Sequence, residues 1–437
     1  MTKHSHHLMI IIIFIASSSS APIENLVFTG CPLQKASAQA QVFITISSLA
    51  VAATERGVVK RQLELNWVSP NAQPGDSVGL YDRDPALNPE APPLHALDPT
   101  RHHEGYFRSD VEIPVQFFNL TCLAKNPCLG FWAAYKDKNG SVLDSSCLQT
   151  RPFWMYENRK YLQSLLLHEA MIPGSHDSGS FYYENRTNTI IKYKYAQEEP
   201  IFDQLVYGLR YFDLRIGYYR HSQDKYYINH NFLKTEHSVK SVLNQVKQFL
   251  DNSKEIVILD FHNFPVGFDN SFIHMRLMQI ILRTFRDYLI PTDAGGLTFG
   301  ELWAKNKRVL VSYDNRLRYL HGKLLWPAIP RAWGNKQRPE DLKEYFAEFF
   351  RGPVPRGLWA SMAELTPDAR TIVLHPDAGL RSFAQVVNRN VTHWFRDLYW
   401  QRANIVATDY FLGNNIIDVA IDTNRYKALC PRKLWSS

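Results

Sequence analysis

The spacing of hydrophobic and polar positions changes near residue 150 of this chain. Before that point, short runs alternate apolar and polar side chains, as in Gln62–Val68, where Leu63, Leu65 and Trp67 stand at every second position. A period of two is typical of half-buried β-strands. The pattern predicts an all-β unit over residues 22–152, which we expect to be an antiparallel β-sandwich. Its predicted strands include Gln41–Ser47, Gln62–Val68, Ser77–Tyr81, Val111–Phe118 and Leu129–Tyr135.

From residue 153 onward, strand-like apolar runs alternate with helical patterns. Ser238 precedes apolar positions spaced for one face of a helix, beginning at Val239 and Val242, so a helix capped by Ser238 is predicted. Repeated alternation of strands and helices indicates an α/β fold, and we predict a TIM-type (β/α) barrel over residues 153–437. Seven strand candidates are visible where such a barrel has eight strands, so we expect irregular closure. The candidates are Leu165–Ile172, Leu209–Ile216, Tyr226–His230, Glu255–Phe261, Arg308–Tyr313, Leu358–Ala363 and Asn404–Phe411. Further predicted helices are Phe272–Leu289, Leu380–Trp400 and Ile416–Tyr426.

The first residues read as a targeting segment. Lys3 precedes an apolar core, Leu8–Ala16, and the small residues Ser17–Ala21 follow it. This order predicts a signal peptide over residues 1–21 and a secreted protein. An uncleaved anchor is the alternative, but the apolar run is shorter than the ~20 residues of a membrane span.

Cysteines and glycosylation sequons agree with secretion. Of five cysteines, Cys31, Cys122, Cys128 and Cys147 precede residue 150, so two disulfides are expected there, with the pairing left open. Cys430 is either free or bonded to one of them. Predicted N-glycosylation sites are Asn119, Asn139, Asn185 and Asn390.

The net charge of the chain does not identify a binding partner. The chain is 45% hydrophobic and 21% charged, with a net charge of +7. Its basic residues are scattered along the sequence, which favours a generally basic surface over a dedicated anionic patch. We therefore expect no nucleic-acid partner.

Candidate catalytic groups follow the predicted barrel strands. Pro173 and Gly174 interrupt an apolar run, and His176 and Asp177 come directly after them. Barrel enzymes place catalytic groups at the carboxyl ends of strands. Equivalent places hold further polar residues, namely Asp213, Arg215, His230, Asp260, His262 and Asp409. A lone histidine is often only a hydrogen-bonded core residue, but two histidines with an arginine and carboxylates suit acid–base cleavage of a phosphodiester.

Three stretches resemble a known family. Ile172–Ser178 and Gly208–Arg215 are similar to the first two motifs of phosphatidylinositol-specific phospholipase C X domains, and Asn229–Asn231 falls where the second catalytic histidine would be. The resemblance covers roughly residues 160–415 and is to the X-domain-only and bacterial branch.

The resemblance implies a mechanism. His176 would take the proton of the inositol 2-hydroxyl, which attacks phosphorus and forms a cyclic phosphodiester. His230 would protonate the leaving diacylglycerol oxygen, and Arg215 would stabilise the phosphoryl charge. A carboxylate from a late strand orients the first histidine, and Asp409 fits by position.

Other implied roles concern metal and inositol. Asp177 and Asp213 would flank Arg215, whose guanidinium stands where the calcium-dependent branch needs a cation, so we predict no metal or other cofactor. The alternative is that Arg215 only pairs structurally with these carboxylates. His262, near Asp260, stands where bacterial relatives carry a lysine that contacts inositol, and both residues are predicted to bind substrate.

The expected substrate is phosphatidylinositol or a glycosylphosphatidylinositol at a membrane surface. Aromatic residues in or beside Leu324–Trp359 either face that membrane or belong to the core, namely Trp326, Trp333, Phe346, Phe349, Phe350 and Trp359. Two other functions stay open: a metal-dependent phosphodiesterase for glycerophosphodiesters or sphingolipids, and a non-catalytic module that binds an inositol lipid or a protein. The β-sandwich would then serve an extracellular partner.

Overall fold

The computed structural model describes residues 40–123, 128–184 and 189–430. The predicted signal peptide, Cys31 and the sequon at Asn185 lie outside these ranges. Within them, none of the helices combines the length and the apolar character that a membrane span requires.

Residues 41–149 form the N-terminal β unit, which consists of two antiparallel sheets. Its strands are β1 (Gln41–Ala53), β2 (Val59–Val68), β3 (Ser77–Tyr81), β4 (His95–Leu97), β5 (Glu104–Pro114), β6 (Cys128–Lys136) and β7 (Val142–Gln149). One sheet has the order β1-β2-β5 and the other β4-β3-β6-β7. Leu65 of the first sheet and Leu80 of the second belong to the same buried hydrophobic cluster. The face-to-face packing of a sandwich and the domain boundaries stay predictions.

The rest of the chain alternates strands and helices. The strands are β8 (Ile172–Ser175), β9 (Tyr211–Tyr218), β10 (Tyr226–His230), β11 (Leu233–Ser238), β12 (Val257–Val266), β13 (Val309–Tyr313), β14 (Arg331–Trp333), β15 (Ala360–Met362) and β16 (Ile405–Thr408). The shorter helices are α1 (Trp154–Glu157), α2 (Arg159–Leu162), α3 (Thr189–Lys192), α4 (Ile201–Tyr207), α7 (Phe299–Ala304) and α9 (Ala369–Leu374). The longer helices are α5 (Val239–Asp251), α6 (Ser271–Phe285), α8 (Pro339–Arg351), α10 (Gly379–His393) and α11 (Ile416–Leu429), and a π-helical turn over Trp394–Leu398 extends α10. Ser238 caps α5 as predicted, since its hydroxyl accepts a hydrogen bond from the Ser241 amide.

The parallel strands follow the order of a barrel. Their sequence of neighbours is β14-β15-β16-β8-β9-β12-β13, so the last strand lies beside the first. Sequential barrel strands are neighbours everywhere except β13 and β14, between which the described residues form no strand pairing. On the β13 side, Ser312 forms an isolated parallel bridge with Trp326, which precedes β14. The expected α/β barrel with irregular closure therefore has its break at this point.

Two strand predictions were wrong in detail, and two strands of this part of the chain, β11 and β14, were not predicted. The predicted strand Leu165–Ile172 begins only at its last residue, and Pro173 and Gly174 lie inside β8 instead of ending it. Gly174 is required there because a Cβ atom would lie 2.6 Å from the Tyr211 ring. Tyr226–His230 is not a barrel strand, because it pairs antiparallel with β9 and forms a hairpin with β11. The three-residue strand β14 was missed.

The aromatic residues near α8 divide between core and surface. Phe346, Phe350 and Trp359 are buried, which favours the core alternative for these three, because they pack against one another and against α10. Trp333 is 52% exposed at the end of β14.

The described residues include some of the predicted disulfide cysteines and glycosylation sequons. Cys128 and Cys147 form a disulfide between β6 and β7, and Cys430 is disulfide-bonded as well. Asn119 and Asn139 are exposed and Asn390 is partly exposed, which leaves their glycosylation a prediction.

Candidate active site

His176 stands directly after β8 and is held at both ring nitrogens. Its Nδ1 lies 2.7 Å from Asp409 Oδ1, and its Nε2 lies 2.5 Å from Arg215 Nη2. Asp409 follows β16, which is the parallel neighbour of β8. The two strands therefore deliver a histidine–carboxylate pair to the same edge of the sheet.

Asp213 organises the positive groups of the site. Its carboxylate is fully buried and accepts hydrogen bonds from Arg215 Nη2 at 3.2 Å and from the Asp177 amide at 3.0 Å. His262 Nδ1 lies 2.6 Å from the other oxygen of Asp213. One buried carboxylate thus fixes the guanidinium and one histidine ring.

His230 approaches from β10. Its Nδ1 donates to the Lys194 carbonyl at 2.7 Å, and its Nε2 lies 3.9 Å from Asp177 Oδ2. The Nδ1 hydrogen bond fixes the ring and leaves Nε2 directed at the site.

A left-handed residue follows each of these three side chains. Asp177 (φ 40°) follows His176, Asn231 (φ 50°) follows His230, and Tyr410 (φ 44°) follows Asp409. Such conformations are uncommon for non-glycine residues and gather at functional sites. The chain thus turns sharply just after each functional side chain.

Two charged residues of the site were not predicted. Glu364 follows β15, is almost fully buried, and lies with Oε1 4.0 Å from His176 Nε2. Arg331 begins β14 and forms an ion pair with Asp260, which also accepts a hydrogen bond from the Tyr211 hydroxyl at 2.7 Å. Asp260 is fully buried. Arg331 lies on a three-residue strand whose period is too short to recognise. Glu364 directly follows the predicted strand Leu358–Ala363, and a charged residue at that place was the signal that could have found it.

Positive groups reach the surface of the site while the carboxylates lie underneath. The histidine and arginine side chains that are 12–13% exposed are His176, Arg215, His230 and His262. The carboxylates that are 0–3% exposed are Asp177, Asp213, Glu364 and Asp409. An anion entering the site would therefore meet nitrogen donors first.

Charge shifts the pKa values of the two histidines in opposite directions. Burial alone would lower the pKa of His176, but the carboxylates of Glu364 and Asp409 raise it to about 9. Burial and the positive charges of Arg215 and His176 lower the pKa of His230 to about 3. In the ligand-free site, His230 is therefore neutral.

The carboxylates of the site also differ from one another in pKa. Burial raises the pKa of Asp177 and of Glu364 to about 7. Burial would raise the pKa of Asp213 too, but His262 and Arg215 hold it well below its ordinary value. Asp213 is thus the permanent anion of the site.

The structure brings together most of the predicted site residues. His176, Asp177, Asp213, His230 and Asp409 are joined around Arg215, and His262 joins them through Asp213. Asp260 contacts Arg331 and Tyr211 instead. Within the described ranges, no group of three or more His, Cys, Asp or Glu side chains is arranged to hold a metal ion. The roles of all these residues stay predictions.

The chain is similar to proteins that carry a PI-PLC X domain, and the resemblance predicted from its motifs is confirmed. Human PI-PLC X domain-containing protein 1 is 24% identical over 311 residues, which span 65% of this chain and 95% of the relative. Zebrafish PI-PLC X domain-containing protein 3 is 29% identical over 307 residues, covering 62% of this chain and 93% of the relative. No protein-family model matches the chain.

Solved structures show a weaker likeness. A phosphatidylinositol-specific phospholipase C from Staphylococcus aureus matches with a TM-score of 0.47 and 16% identity, over 62% of this chain and 97% of the other. The enzyme of the same name from Listeria monocytogenes matches with a TM-score of 0.45 and 18% identity, over 63% and 98%.

Proposed function

We propose that the protein cleaves phosphatidylinositol, or a glycosylphosphatidylinositol, to diacylglycerol and a cyclic inositol phosphate by metal-independent acid–base catalysis. The observation that carries the proposal is the pair His176–Asp409 set against Arg215, with His230 beside it. The similarity to PI-PLC X domain-containing proteins supports the substrate class.

The proposed reaction is intramolecular: a hydroxyl of the inositol displaces the diacylglycerol from phosphorus. His176 Nε2 takes the proton of the inositol 2-hydroxyl, and that oxygen forms a bond to phosphorus. The bond between phosphorus and the glycerol oxygen breaks, and His230 gives the leaving oxygen a proton. Arg215 donates to the non-bridging phosphoryl oxygens, whose charge it stabilises. Asp409 stabilises the imidazolium that forms at His176.

The ligand-free charges of the two histidines are opposite to those that this reaction needs. A phosphodiester anion beside Arg215 would offset the positive field that lowers the pKa of His230. Substrate binding would thus move His230 toward the protonated form that an acid needs. For His176 the reaction needs the unprotonated ring, although the raised pKa favours the protonated form in the ligand-free site.

Arg215 is the basis for proposing that no metal takes part. A guanidinium is charged at every relevant pH and binds phosphate oxygens in a fork geometry. It occupies the position beside His176 where a cation would compensate phosphoryl charge.

The test is turnover of phosphatidylinositol vesicles in EDTA, with the His176→Ala variant beside the wild type. We expect cyclic inositol phosphate from the wild type and a loss of roughly 10²- to 10⁴-fold in the variant. Activity that requires added Ca²⁺ or Mg²⁺ would contradict the role of Arg215. Lipid binding without any product would favour the non-catalytic alternative.

We also propose that the site faces a membrane through an apolar rim patch, defined as Ile190, Trp333, Val373 and Leu374. These side chains are 52–76% exposed. They lie on α3, β14 and α9, in segments that follow the carboxyl ends of barrel strands. The Lys192–Asp377 ion pair at 2.8 Å joins the segments of α3 and α9, and Trp333 Nε1 donates to Thr366 at 3.0 Å.

Secretion and N-glycosylation belong to the same proposal. The Cys128–Cys147 disulfide supports it, because disulfides persist mainly in oxidising compartments.

A further inference from the structure

One buried side chain ties together the two strand ends that carry the histidine–carboxylate pair. Gln197 is fully buried, and its Nε2 donates to the carbonyls of His176 at 2.9 Å and Thr408 at 2.8 Å. Thr408 immediately precedes Asp409. Gln197 therefore fixes the backbone of the proposed base relative to that of its carboxylate partner.

The next two residues are anchored by the N-terminal β unit. Arg61 of β2 donates to Glu199 at 2.8 Å and also forms an ion pair with Glu198, which Arg381 of α10 contacts as well. Arg61 and both glutamates are no more than 2% exposed. A buried charge that loses its partner strongly destabilises its surroundings, so this cluster holds the segment next to Gln197 firmly.

A second contact reaches the other strand end. Asn388 of α10 donates to the carbonyls of Asp409 and Tyr410, each at 3.0 Å, and to the hydroxyl of Ser48 on β1 at 3.3 Å. Arg381 donates to the Ser48 carbonyl at 3.2 Å. The N-terminal β unit thus contacts the framework of Asp409 as well.

A third contact involves the segment that follows His176. The Val59 amide donates to the Tyr183 carbonyl at 2.9 Å, and Val58 forms an antiparallel bridge with Glu184. The Phe117 ring packs edge-on against Tyr183, with 4.9 Å between ring centroids. The chain on both sides of Gln197 is therefore held by the same unit.

We propose that the N-terminal β unit is part of the framework of the active site, and that Gln197 is the positioning residue through which it sets His176 against Asp409. This role differs from that of a separate module for an extracellular partner. Its turnover readouts rest on the proposed function, whereas its spectroscopic readout needs no turnover.

The first experiment replaces Gln197 by methionine, which has a similar size and no donor. We expect kcat on a soluble inositol phosphodiester to fall roughly 10- to 100-fold with KM within about twofold, because misplacement of a reacting group acts on the chemical step. In histidine-ring NMR spectra, the proton-binding constant of His176 should fall about tenfold as Asp409 moves away. Gln163→Met is the control, because Gln163 is exposed on the surface. A folded Gln197→Met protein with unchanged kcat and unchanged His176 titration would overturn the proposal.

The second experiment tests the link to the N-terminal β unit. Arg61→Met should reproduce the loss of kcat and the change in the His176 titration, whereas Arg101→Met, at a side chain that is 81% exposed, should change neither. If Arg61→Met does not fold, kcat and the His176 titration are measured on Arg61→Lys instead, because a single ammonium cannot bridge two carboxylates as a guanidinium does. A lower melting temperature with wild-type kcat and wild-type His176 titration would show that the unit only adds stability, and would overturn the link. If the wild type turns over no phosphodiester, the proposed function fails, and the His176 titration alone decides the positioning role.

Discussion

At the scale of single residues, the site is a set of opposed charges whose protonation is controlled by burial. Among the described residues, Glu364 has no hydrogen-bond partner for either buried oxygen, and it lies 4.0 Å from the ring nitrogen that would act as the base. Among the groups that raise the pKa of His176, Glu364 has the largest effect. The pH dependence of the reaction should therefore report on Glu364.

A general base must be unprotonated, so kcat/KM on a p-nitrophenyl ester, which needs no protonated His230, should rise with pH up to about 9, where free His176 loses its proton. The charged groups that face His176 are Glu364, Asp409, Asp213 and Arg215. Glu364→Gln removes one negative charge, which should move the rising limb about one to three pH units lower.

The measurement is the pH profile of kcat/KM on a soluble p-nitrophenyl ester of inositol phosphate. Glu344→Gln serves as the control, because Glu344 is exposed on α8. If the rising limb of the Glu364→Gln profile stays at the same pH as in the wild type, another group controls the titration.

At the scale of elements, the sequence predicts those parts of the site whose strands are long enough to show a pattern. Arg215 lies inside the predicted strand Leu209–Ile216, which largely coincides with β9, so its position could be inferred without a structure. Arg331 lies on β14, a strand of three residues that no period distinguishes from a loop. Glu364 directly follows the predicted strand Leu358–Ala363 and could have been inferred from that position. Pro173 and Gly174 suggested a break because local propensity disfavours them in strands, but tertiary packing overrides that propensity.

The packing of β8 against β9 gives an element-scale prediction. At Gly174 an added Cβ would lie 2.6 Å from Tyr211 Cδ1 and 3.0 Å from its carbonyl oxygen, so the strands must separate. Gly174→Ala should lower the free energy of unfolding by about 1–3 kcal/mol. Chemical denaturation checks this value, with Gly296→Ala as the control, because a Cβ there meets nothing within 4 Å. Equal stability of the two variants would refute the packing argument.

At the scale of the whole molecule, two chain units meet behind the site while the rim patch lies on the segments in front of it. The contacts between the units could not be predicted from the sequence, because Arg61, Glu198 and Arg381 are far apart along the chain. The sequence left the aromatic residues near α8 open between a membrane surface and the core, and most of those rings form core. Two of the four side chains of the rim patch, Val373 and Leu374, come from α9.

The rim patch predicts how the protein binds vesicles. The double variant Val373→Ala/Leu374→Ala should bind phosphatidylinositol vesicles roughly tenfold more weakly, because less apolar area enters the bilayer interface. Vesicle sedimentation measures the affinity, and turnover of a soluble substrate should be unchanged. Leu87→Ala is the matched control on the N-terminal β unit, where the side chain is 79% exposed. Equal losses in both variants would argue against a defined membrane face.

The central claim is that His176 acts as base and His230 as acid, and a comparison of leaving groups tests it most directly. Turnover would be measured for an inositol phosphate ester of an alcohol and for one of p-nitrophenol, whose oxyanion needs no proton to leave. The account predicts that His230→Ala loses roughly 10²- to 10⁴-fold on the alcohol ester and far less on the p-nitrophenyl ester, while His176→Ala loses similar factors on both. Equal losses on the two esters in His230→Ala would contradict the assignment of His230 as the acid.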